Sequence, residues 1–419
     1  MRLTFIWLCS GFLFLLLFAE DGAAQEALTW QEVRDRFEAA NPSLRAGQIG
    51  VEESRAAEIT ADLRPNPNLG LLADQINPFP SGPPHSPFGN LLSVAAVSYL
   101  HERAHKRELR LDSAREATGI AASDQADLER TLLFALRSAF VGVLQAKAVL
   151  RAARDNLAYW DRVLAISRDR FQAGDLARID LERLELQRVQ FEADLQTAEV
   201  NLRTAKIQIL TLLNDRTPAA QFDVSGTFDF SEQLPGLEEV RKIALDARPD
   251  LKAAVQAVDK AKTDHKLAVA NGSTDPTLGF DVGRNPPIDQ YIGVSVNIPL
   301  RIFDRNQGEK LRTRLDEDRN QRLLDAAQAQ VLSDVDSSYA VVNSDVILLR
   351  PYKAKYLEEA GRVRDTVRFA YEHGGASLLD FLSAENDYRG VQINYANLVG
   401  SYLTAAAQLN LAAGREVMQ

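Results

Sequence analysis

The sequence predicts a mainly α-helical chain with a membrane β-barrel, made of two similar units of helix, β-hairpin and helix. Three observations support this fold class. The second half of the chain repeats the first at an offset of about 200 residues. Apolar residues recur every seven positions over long stretches without Pro or Gly, which is typical of coiled-coil helices. Four short segments alternate apolar residues with small or polar ones, which is typical of β-strands.

The first 24 residues have the pattern of a secretory signal peptide. Arg2 precedes a mostly apolar stretch, and Gly22-Ala-Ala24 offers the small residues at which a signal peptide is cleaved. A transmembrane anchor is the alternative, but the apolar stretch is short for a span. Cys9, the only cysteine, lies in this leader, so the mature chain has no thiol for a disulfide or a metal. Beyond the leader we expect no apolar helix long enough to cross a membrane.

Two glycine-containing segments define the repeat. Phe171–Glu185 aligns with Tyr371–Glu385, so that Gly174 matches Gly374. Tandem units of this kind indicate a pseudo-symmetric molecule. The expected parts are a signal peptide (1–24), a first repeat (25–215), a linker (216–236) and a second repeat (237–419). The net charge of −10, with both signs interspersed, argues against nucleic acid as a partner.

Apolar columns with a period of seven run along the helix that follows each glycine. In the first unit one column passes through Leu184, Phe191 and Ala198, and both columns of that helix recur 200 residues later. Helices are also predicted over about 102–172 and 304–372, and 70 helical residues span roughly 105 Å. In the second of these, Pro351 predicts a kink or a break. One column of this helix comprises Val335, Val342, Leu349, Tyr356, Val363 and Ala370.

The alternating segments predict four strands, at about residues 68–74, 91–100, 277–283 and 291–300. The last has ten residues, the length of a transmembrane strand, with apolar side chains on one face and Gly, Ser and Asn on the other. A soluble sheet packed on the helices is the alternative, but no compact domain surrounds either hairpin. Four strands that face lipid cannot close a barrel, because open edges leave backbone groups unpaired in hydrocarbon. Three chains would supply twelve strands, an even number within the usual range.

The chain resembles the TolC family of outer-membrane efflux ducts over essentially the whole mature chain. The resemblance rests on the duplicated layout and on the two turn segments, Phe171–Glu185 and Tyr371–Glu385. In addition, Ile298-Pro-Leu-Arg-Ile-Phe-Asp-Arg-Asn-Gln-Gly308 is similar to the segment after the last strand in the CzcC-like branch, which serves heavy-metal pumps. The resemblance implies a homotrimer in which the twelve-strand barrel lies in the lipid of the outer membrane. A long α-helical barrel would cross the periplasm, and a periplasmic adaptor and an inner-membrane pump would dock at its tip.

The resemblance also implies roles for residues at the two helical turns. The family prototype closes its pore with a Tyr, an Arg and two Asp around the second turn. Tyr371 and Asp380 match this pattern, whereas Ala376 and Ser383 replace the Arg and the second Asp. For Asp380, a gate and a solvated carboxylate at a helix start both remain open. The adaptor-docking tips would comprise Ala173, Gly174, Asp175, His373, Gly374 and Gly375.

His101-Glu-Arg-Ala-His105 matches the zinc-hydrolase pattern H-E-x-x-H. A zinc hydrolase needs both histidines on one helix face, with Glu102 as the general base. Here the segment falls where a strand becomes a helix, among basic residues, and no third ligand is identifiable. We therefore predict a passive conduit for small solutes, with no catalytic residues, no cofactor and no metal site, and the CzcC-like segment favours divalent metal cations as solutes. The alternatives are a periplasmic coiled-coil scaffold without a pore and an H-E-x-x-H zinc hydrolase.

Overall fold

The computed structural model describes residues 27–79 and 86–418, so the predicted signal peptide lies outside the described residues. The helices are α1 (Trp30–Ala40), α2 (Pro42–Asp62), α3 (Lys106–Ala173), α4 (Arg178–Leu212), α5 (Leu237–Ala247), α6 (Pro249–Asn271), α7 (Gln307–Pro351), α8 (Leu357–Glu372) and α9 (Leu378–Ala413). The strands are β1 (Asn68–Asp74), β2 (Leu92–Leu100), β3 (Thr277–Asn285) and β4 (Ile288–Asn297).

The long helix α3 packs against most of the other helices. Its 68 residues span about 100 Å at 1.5 Å per residue. It packs against α4 and α9 along one part of its length, and against α2 and α6 along another. The apolar columns of α4 and α9 face this packing, because Leu184, Phe191 and Phe381 are all buried. The predicted coiled-coil helices are therefore present, and they pack as a mainly helical body that carries one small sheet.

The second long helical segment is interrupted as Pro351 predicts, and the interruption has a structural consequence. A π-helix, Tyr352–Tyr356, separates α7 from α8. Each π-turn adds one residue to the α-helical repeat and rotates the downstream helix by about 100°. The predicted apolar column is thus correct only as far as Leu349, because Tyr356 and Val363 are 45% and 55% exposed. Beyond the π-helix the inward positions lie one residue later in the chain.

The four strands form one antiparallel sheet in the order β1-β2-β3-β4. The two hairpins therefore meet at β2 and β3, where Val97 pairs with Phe280. The predicted bounds of the last strand were wrong. β4 begins at Ile288 and ends at Asn297 instead of spanning 291–300. Pro299 explains the early end, because proline has no N–H to donate to a strand ladder.

Buried residues form separate clusters along the helices. One cluster lies where the N-terminal helix α1 and residues Phe222 and Val224 pack on the middle of α3. Another, which we call the tip cluster, lies near the ends of α3, α4, α8 and α9. The buried members of the tip cluster are Trp160, Leu164, Leu184, Phe191, Leu378 and Phe381.

Among the described residues, α3 is the one helix that is long and apolar enough to cross a membrane by length and composition. This differs from the expectation that no such helix follows the leader. A single helix of this kind is weak evidence for a span, since core helices pass the same criterion. Leu136, Phe140 and Val143 of α3 are buried in the protein core.

Candidate functional site

The first helical tip is an exposed turn between α3 and α4. Gly174 adopts a left-handed conformation with φ of +87°, and Asp175 donates its backbone N–H to the Arg170 carbonyl at 2.9 Å. Glycine suits this position because a side chain there would be strained. A Cβ on Gly174 would have no neighbour within 4 Å, so the turn is open to a partner. Ala173, Gly174 and Asp175 are all exposed.

The second tip, between α8 and α9, has the same backbone design. Gly374 has φ of +76°, and Gly375 donates its N–H to the Ala370 carbonyl at 2.7 Å. His373 turns back onto its own helix, because its Nδ1 lies 2.8 Å from the Phe369 carbonyl. His373, Gly374 and Gly375 are exposed. Each of the six predicted docking residues thus lies on an exposed helical turn.

Tyr371 lies inside the second tip, in a stack of rings that joins three helices. Its ring is parallel to that of Phe381 at 5.0 Å, and Phe381 stacks on Trp160 at 5.8 Å. The Arg170 guanidinium lies 5.7 Å from the centre of the Tyr371 ring. The hydroxyl of Tyr371 is buried and has no hydrogen-bond partner among the described residues. Burial raises the pKa of this hydroxyl above its ordinary value.

Asp380 forms a capping box at the start of α9. Its backbone N–H donates to Ser377 Oγ at 3.2 Å, and its Oδ2 accepts from Ser377 Oγ at 2.7 Å and from the Ser377 N–H at 3.0 Å. These hydrogen bonds hold the pKa of Asp380 below its usual value. The pattern Ser-x-x-Asp before an apolar run is a sequence signal for such a cap, and it could have revealed this role. The first tip differs, because Ala177 precedes α4 and makes no side-chain cap.

A buried polar group that the sequence did not predict lies next to the tip cluster. Glu385 is 5% exposed and accepts a hydrogen bond from the Tyr159 hydroxyl at 2.7 Å. Arg364 and Arg368 lie over the Tyr159 ring, with the guanidinium carbons at 5.4 and 5.9 Å from its centre. Glu385 aligns with Glu185 in the repeat, but Glu185 pairs with Arg168 near the surface. The sequence repeat therefore shows that Glu185 and Glu385 are equivalent, but it does not show that Glu385 is buried and Glu185 is not.

The sheet at the opposite end of the molecule has one continuous apolar face. Register places Leu278 beside Val296, Phe280 beside Val294 and Val282 beside Ile292. Val294 is 80% exposed and Ile292 is 72% exposed, although both are large apolar residues. The same face continues over the first hairpin through Leu69, Leu71, Val97 and Tyr99.

On the second hairpin, the opposite face of the sheet is mostly small and polar. Gly279, Asp281 and Ser295 alternate with the apolar positions of β3 and β4. Among the residues that the structure describes, β1 and β4 each pair with one neighbour only, so both outer edges of the sheet are open. An apolar face of this extent on a monomer marks a contact with lipid or with another protein.

Three helices, α4, α7 and α8, also carry apolar side chains that no described residue covers. On α4, Ile179, Leu186, Val200 and Ile207 are exposed at multiples of seven residues, and we call them the α4 stripe. A second set runs across the π-helix. We call this set, which comprises Val341, Leu348, Tyr356 and Val363, the α7–α8 stripe. Heptad stripes are the contact surfaces of coiled coils, so each stripe fits another helix.

The H-E-x-x-H segment does not form a zinc site in this structure. Helix α3 begins only at Lys106, and Ala104 and His105 have left-handed backbone, so the two histidines do not share a helix face. Both carboxylate oxygens of Glu102 accept hydrogen bonds from Arg110. No group of three or more potential ligand residues is assembled for a metal within 27–79 and 86–418.

Comparison with known proteins finds similarity to outer-membrane efflux proteins. Residues 240–415 match the profile of the family described as outer membrane efflux protein. The cobalt-zinc-cadmium resistance protein CzcC of Cupriavidus metallidurans is 22% identical over 384 residues, which cover 90% of this chain and 87% of CzcC. The outer membrane protein TolC of Vibrio cholerae is 23% identical over 317 residues, which cover 73% of this chain and 72% of TolC. Residues 240–415, the larger part of the second half of the chain, are therefore similar to the outer membrane efflux protein family.

Solved structures show the same fold at low sequence identity. A structure of CusC superposes with a TM-score of 0.78 at 17% identity and covers 92% of both chains. The open-state MtrE channel of Neisseria gonorrhoeae gives a TM-score of 0.75 at 18% identity, with coverage of 92% of this chain and 89% of MtrE. The mainly helical body with its small antiparallel sheet is thus a fold that this chain shares with these solved structures.

Proposed function

We propose that the chain is the outer-membrane channel of a tripartite efflux system, a passive duct without catalytic activity. The apolar outer face of the four-stranded sheet carries this proposal. This face is exposed in the single chain. The sheet also has two open edges, whose unpaired backbone N–H and C=O groups are energetically costly in hydrocarbon. Pairing β1 of one copy with β4 of the next removes both problems. Three copies would close a barrel of twelve strands, within the known range of outer-membrane barrels.

The two exposed helical stripes support the same assembly. In a closed ring, the α4 stripe of one copy faces the α7–α8 stripe of the next. Leu176, Tyr371 and Leu378 pack in or against one tip cluster, so the two tips lie at the same level. Helix α4 leads away from the first tip and α8 leads toward the second tip, so residues at similar distances from Gly174 and Gly374 lie at the same height. Leu186 therefore lies opposite Val363 of the next copy in the proposed ring. The equal order of elements in the two halves fits the proposed division into repeats 25–215 and 237–419, joined by a linker at 216–236.

Cysteine crosslinking tests this assembly. The sequence has a single cysteine, Cys9, in the proposed leader, so introduced thiols give a clean background. The double variant Leu186→Cys/Val363→Cys should form covalent trimers in outer-membrane fractions under mild oxidation. Each single variant should yield only monomers on denaturing gels. Monomers from the double variant, when the same protein migrates as a heat-modifiable trimer, would contradict the proposed helix pairing.

The exposed tips are the proposed docking surface for a periplasmic adaptor, beneath which an inner-membrane pump would supply the energy. Both turns are open, with room for a partner at Gly174 and Gly374. Tyr371 and Asp380 are the proposed gate residues. The unpaired, buried hydroxyl of Tyr371 supports this role, because such a group costs free energy that a rearranged tip would recover by forming a hydrogen bond.

Divalent metal cations are the proposed solutes. The relative CzcC is named for resistance to cobalt, zinc and cadmium, and it aligns with 90% of this chain. In a passive duct the pump selects the cargo, so the channel needs no dedicated metal ligands. Expression with its adaptor and pump should raise zinc tolerance in a sensitive host. Tolerance to an organic drug that rises while zinc tolerance does not would contradict the choice of solute.

A further inference from the structure

A cavity of about 340 Å³ lies at the middle of the molecule, far from the tips and the sheet. It is open to solvent on one side and is bordered by the N-terminal helix α1, the central part of α3 and the C-terminal end of α9. Its wall includes apolar side chains, among them Leu133, Phe134 and Leu411. The volume is at the lower end of the roughly 300–1,000 Å³ that is typical of small-molecule sites. None of the roles proposed above uses this cavity.

The charged groups around the cavity are mainly basic. Four arginines line it against two glutamates, Glu129 and Glu416. Arg34 is neutralised by Glu38 at 2.7 Å, and Arg130 by Asp127 at 2.5 Å. The other two arginines, Arg137 and Arg415, have no carboxylate within 4.0 Å in the part of the chain that the structure describes.

Arg137 is the distinctive group of the cavity. Its guanidinium lies over the indole of Trp30, with the central carbon 4.5 Å from the ring centre. Stacking on an aromatic face leaves the N–H donors of a guanidinium free at its edge, in the geometry that matches a carboxylate. Burial lowers the pKa of Arg137, and Glu416 opposes this effect only through longer-range attraction. A half-buried cation without a close counter-ion favours an anion beside it.

We propose that this cavity binds a small organic anion with a flat apolar body, such as an aromatic carboxylate. The carboxylate would accept hydrogen bonds from the guanidinium edge of Arg137, and the apolar body would lie against Leu133, Phe134 and Leu411. A bare inorganic anion would leave this apolar wall in contact with water, and a neutral aromatic compound would leave Arg137 without a counter-ion. Both should therefore bind more weakly.

A neighbouring copy would not cover this cavity. The cavity lies over the contact between α3 and α9 within one chain. The stripes that fit a second copy lie on α4 and on α7–α8, which do not line it. The site therefore remains open in the trimer proposed above, and its occupancy can be measured on the purified assembly.

Calorimetric titration of the purified protein in detergent tests the proposal. The probe is 2-naphthoate, the neutral control is 2-naphthalenemethanol and the bare anion is inorganic phosphate. We expect saturable binding of 2-naphthoate at one site per chain, with at least tenfold weaker binding of both controls. Equal affinity for the neutral alcohol, or no saturable binding of 2-naphthoate, would overturn the proposal.

Substitutions of single arginines test whether 2-naphthoate binds in this cavity. Arg137→Gln should weaken 2-naphthoate binding at least tenfold, and Arg137→Lys should weaken it less because a positive charge remains. Arg151→Gln, on an exposed position of the same helix, is the matched control and should bind like the wild type. Unchanged affinity in Arg137→Gln, or an equal loss in Arg151→Gln, would contradict the assignment. If Arg137→Gln fails to assemble, the comparison of the affinities of 2-naphthoate, 2-naphthalenemethanol and phosphate for the wild-type protein still tests the proposal.

Discussion

The hydroxyl of Tyr159 donates a hydrogen bond of 2.7 Å to Oε1 of Glu385, across 226 positions of the chain. This bond joins α3 of the first half to α9 of the second half beside the tip cluster. Tyr159→Phe keeps the ring but removes the donor, and it should lower the free energy of unfolding by roughly 1–3 kcal/mol per chain. Thermal unfolding measures the change. Tyr352→Phe is the control, because the Tyr352 hydroxyl makes no hydrogen bond within the described residues, and a loss as large in the control would refute the assignment.

The same contact predicts a dependence of stability on pH. Burial raises the pKa of Glu385 above its usual 4.5, although Tyr159, Arg364 and Arg368 oppose the rise. The folded chain therefore holds a proton that the unfolded chain has released, so the contribution of Glu385 to stability falls as the pH rises through the raised pKa. Glu385→Gln removes this dependence. Its thermal midpoint relative to that of the wild type should increase from pH 4 to pH 7, and a constant or decreasing difference would contradict the argument.

The strand register predicts a difference between adjacent positions. Val294 lies on the apolar face in the central part of β4 and is 80% exposed in the single chain, whereas Ser295 lies on the opposite face. An arginine that faces lipid near the midplane costs roughly 2–4 kcal/mol. Val294→Arg should therefore reduce the yield of heat-modifiable trimer in the outer membrane, and Ser295→Arg should leave it near the wild-type level. Equal yields would show that the two faces are assigned wrongly.

Substitutions of the tip glycines test adaptor docking independently of folding. Gly374→Ala and Gly374→Arg both place a side chain at a left-handed position, at a strain of about 1 kcal/mol or more, but only arginine adds bulk. We expect Gly374→Arg, like Gly174→Arg, to abolish export and adaptor crosslinking while trimers remain in the membrane. Gly374→Ala should retain most export. Persistent export with arginine at both tips would exclude them as the docking surface.

Asp380 can be tested for a gate role apart from its cap. Ser377→Ala breaks the capping box but keeps the carboxylate, whereas Asp380→Asn removes the charge. If Asp380 contributes to a gate, single-channel recordings should show a larger change in conductance or ion selectivity for Asp380→Asn than for Ser377→Ala. The same change in both variants would mean that Asp380 acts only as a helix cap.

Sequence periodicity predicted the helices and strands well because both depend on local patterns. The apolar columns of α4 and α9 are buried as the seven-residue spacing requires. The predicted apolar column of the second long helix was wrong after Leu349. A heptad pattern in the sequence does not reveal the extra residue of a π-helix. The pairing of Tyr159 with Glu385 and the stacking of Arg137 on Trp30 were also missed. Both join residues more than a hundred positions apart, and only the folded chain brings them together.

In the proposed assembly, several copies of this chain enclose one continuous channel. Electron cryo-microscopy of the detergent-purified protein measures this directly. We expect a threefold-symmetric particle with a twelve-strand barrel, in which β1 of each copy pairs with β4 of the next, above a helical barrel of about 100 Å. A monomeric particle, or an oligomer in which the sheets pack on helices without enclosing a channel, would contradict it.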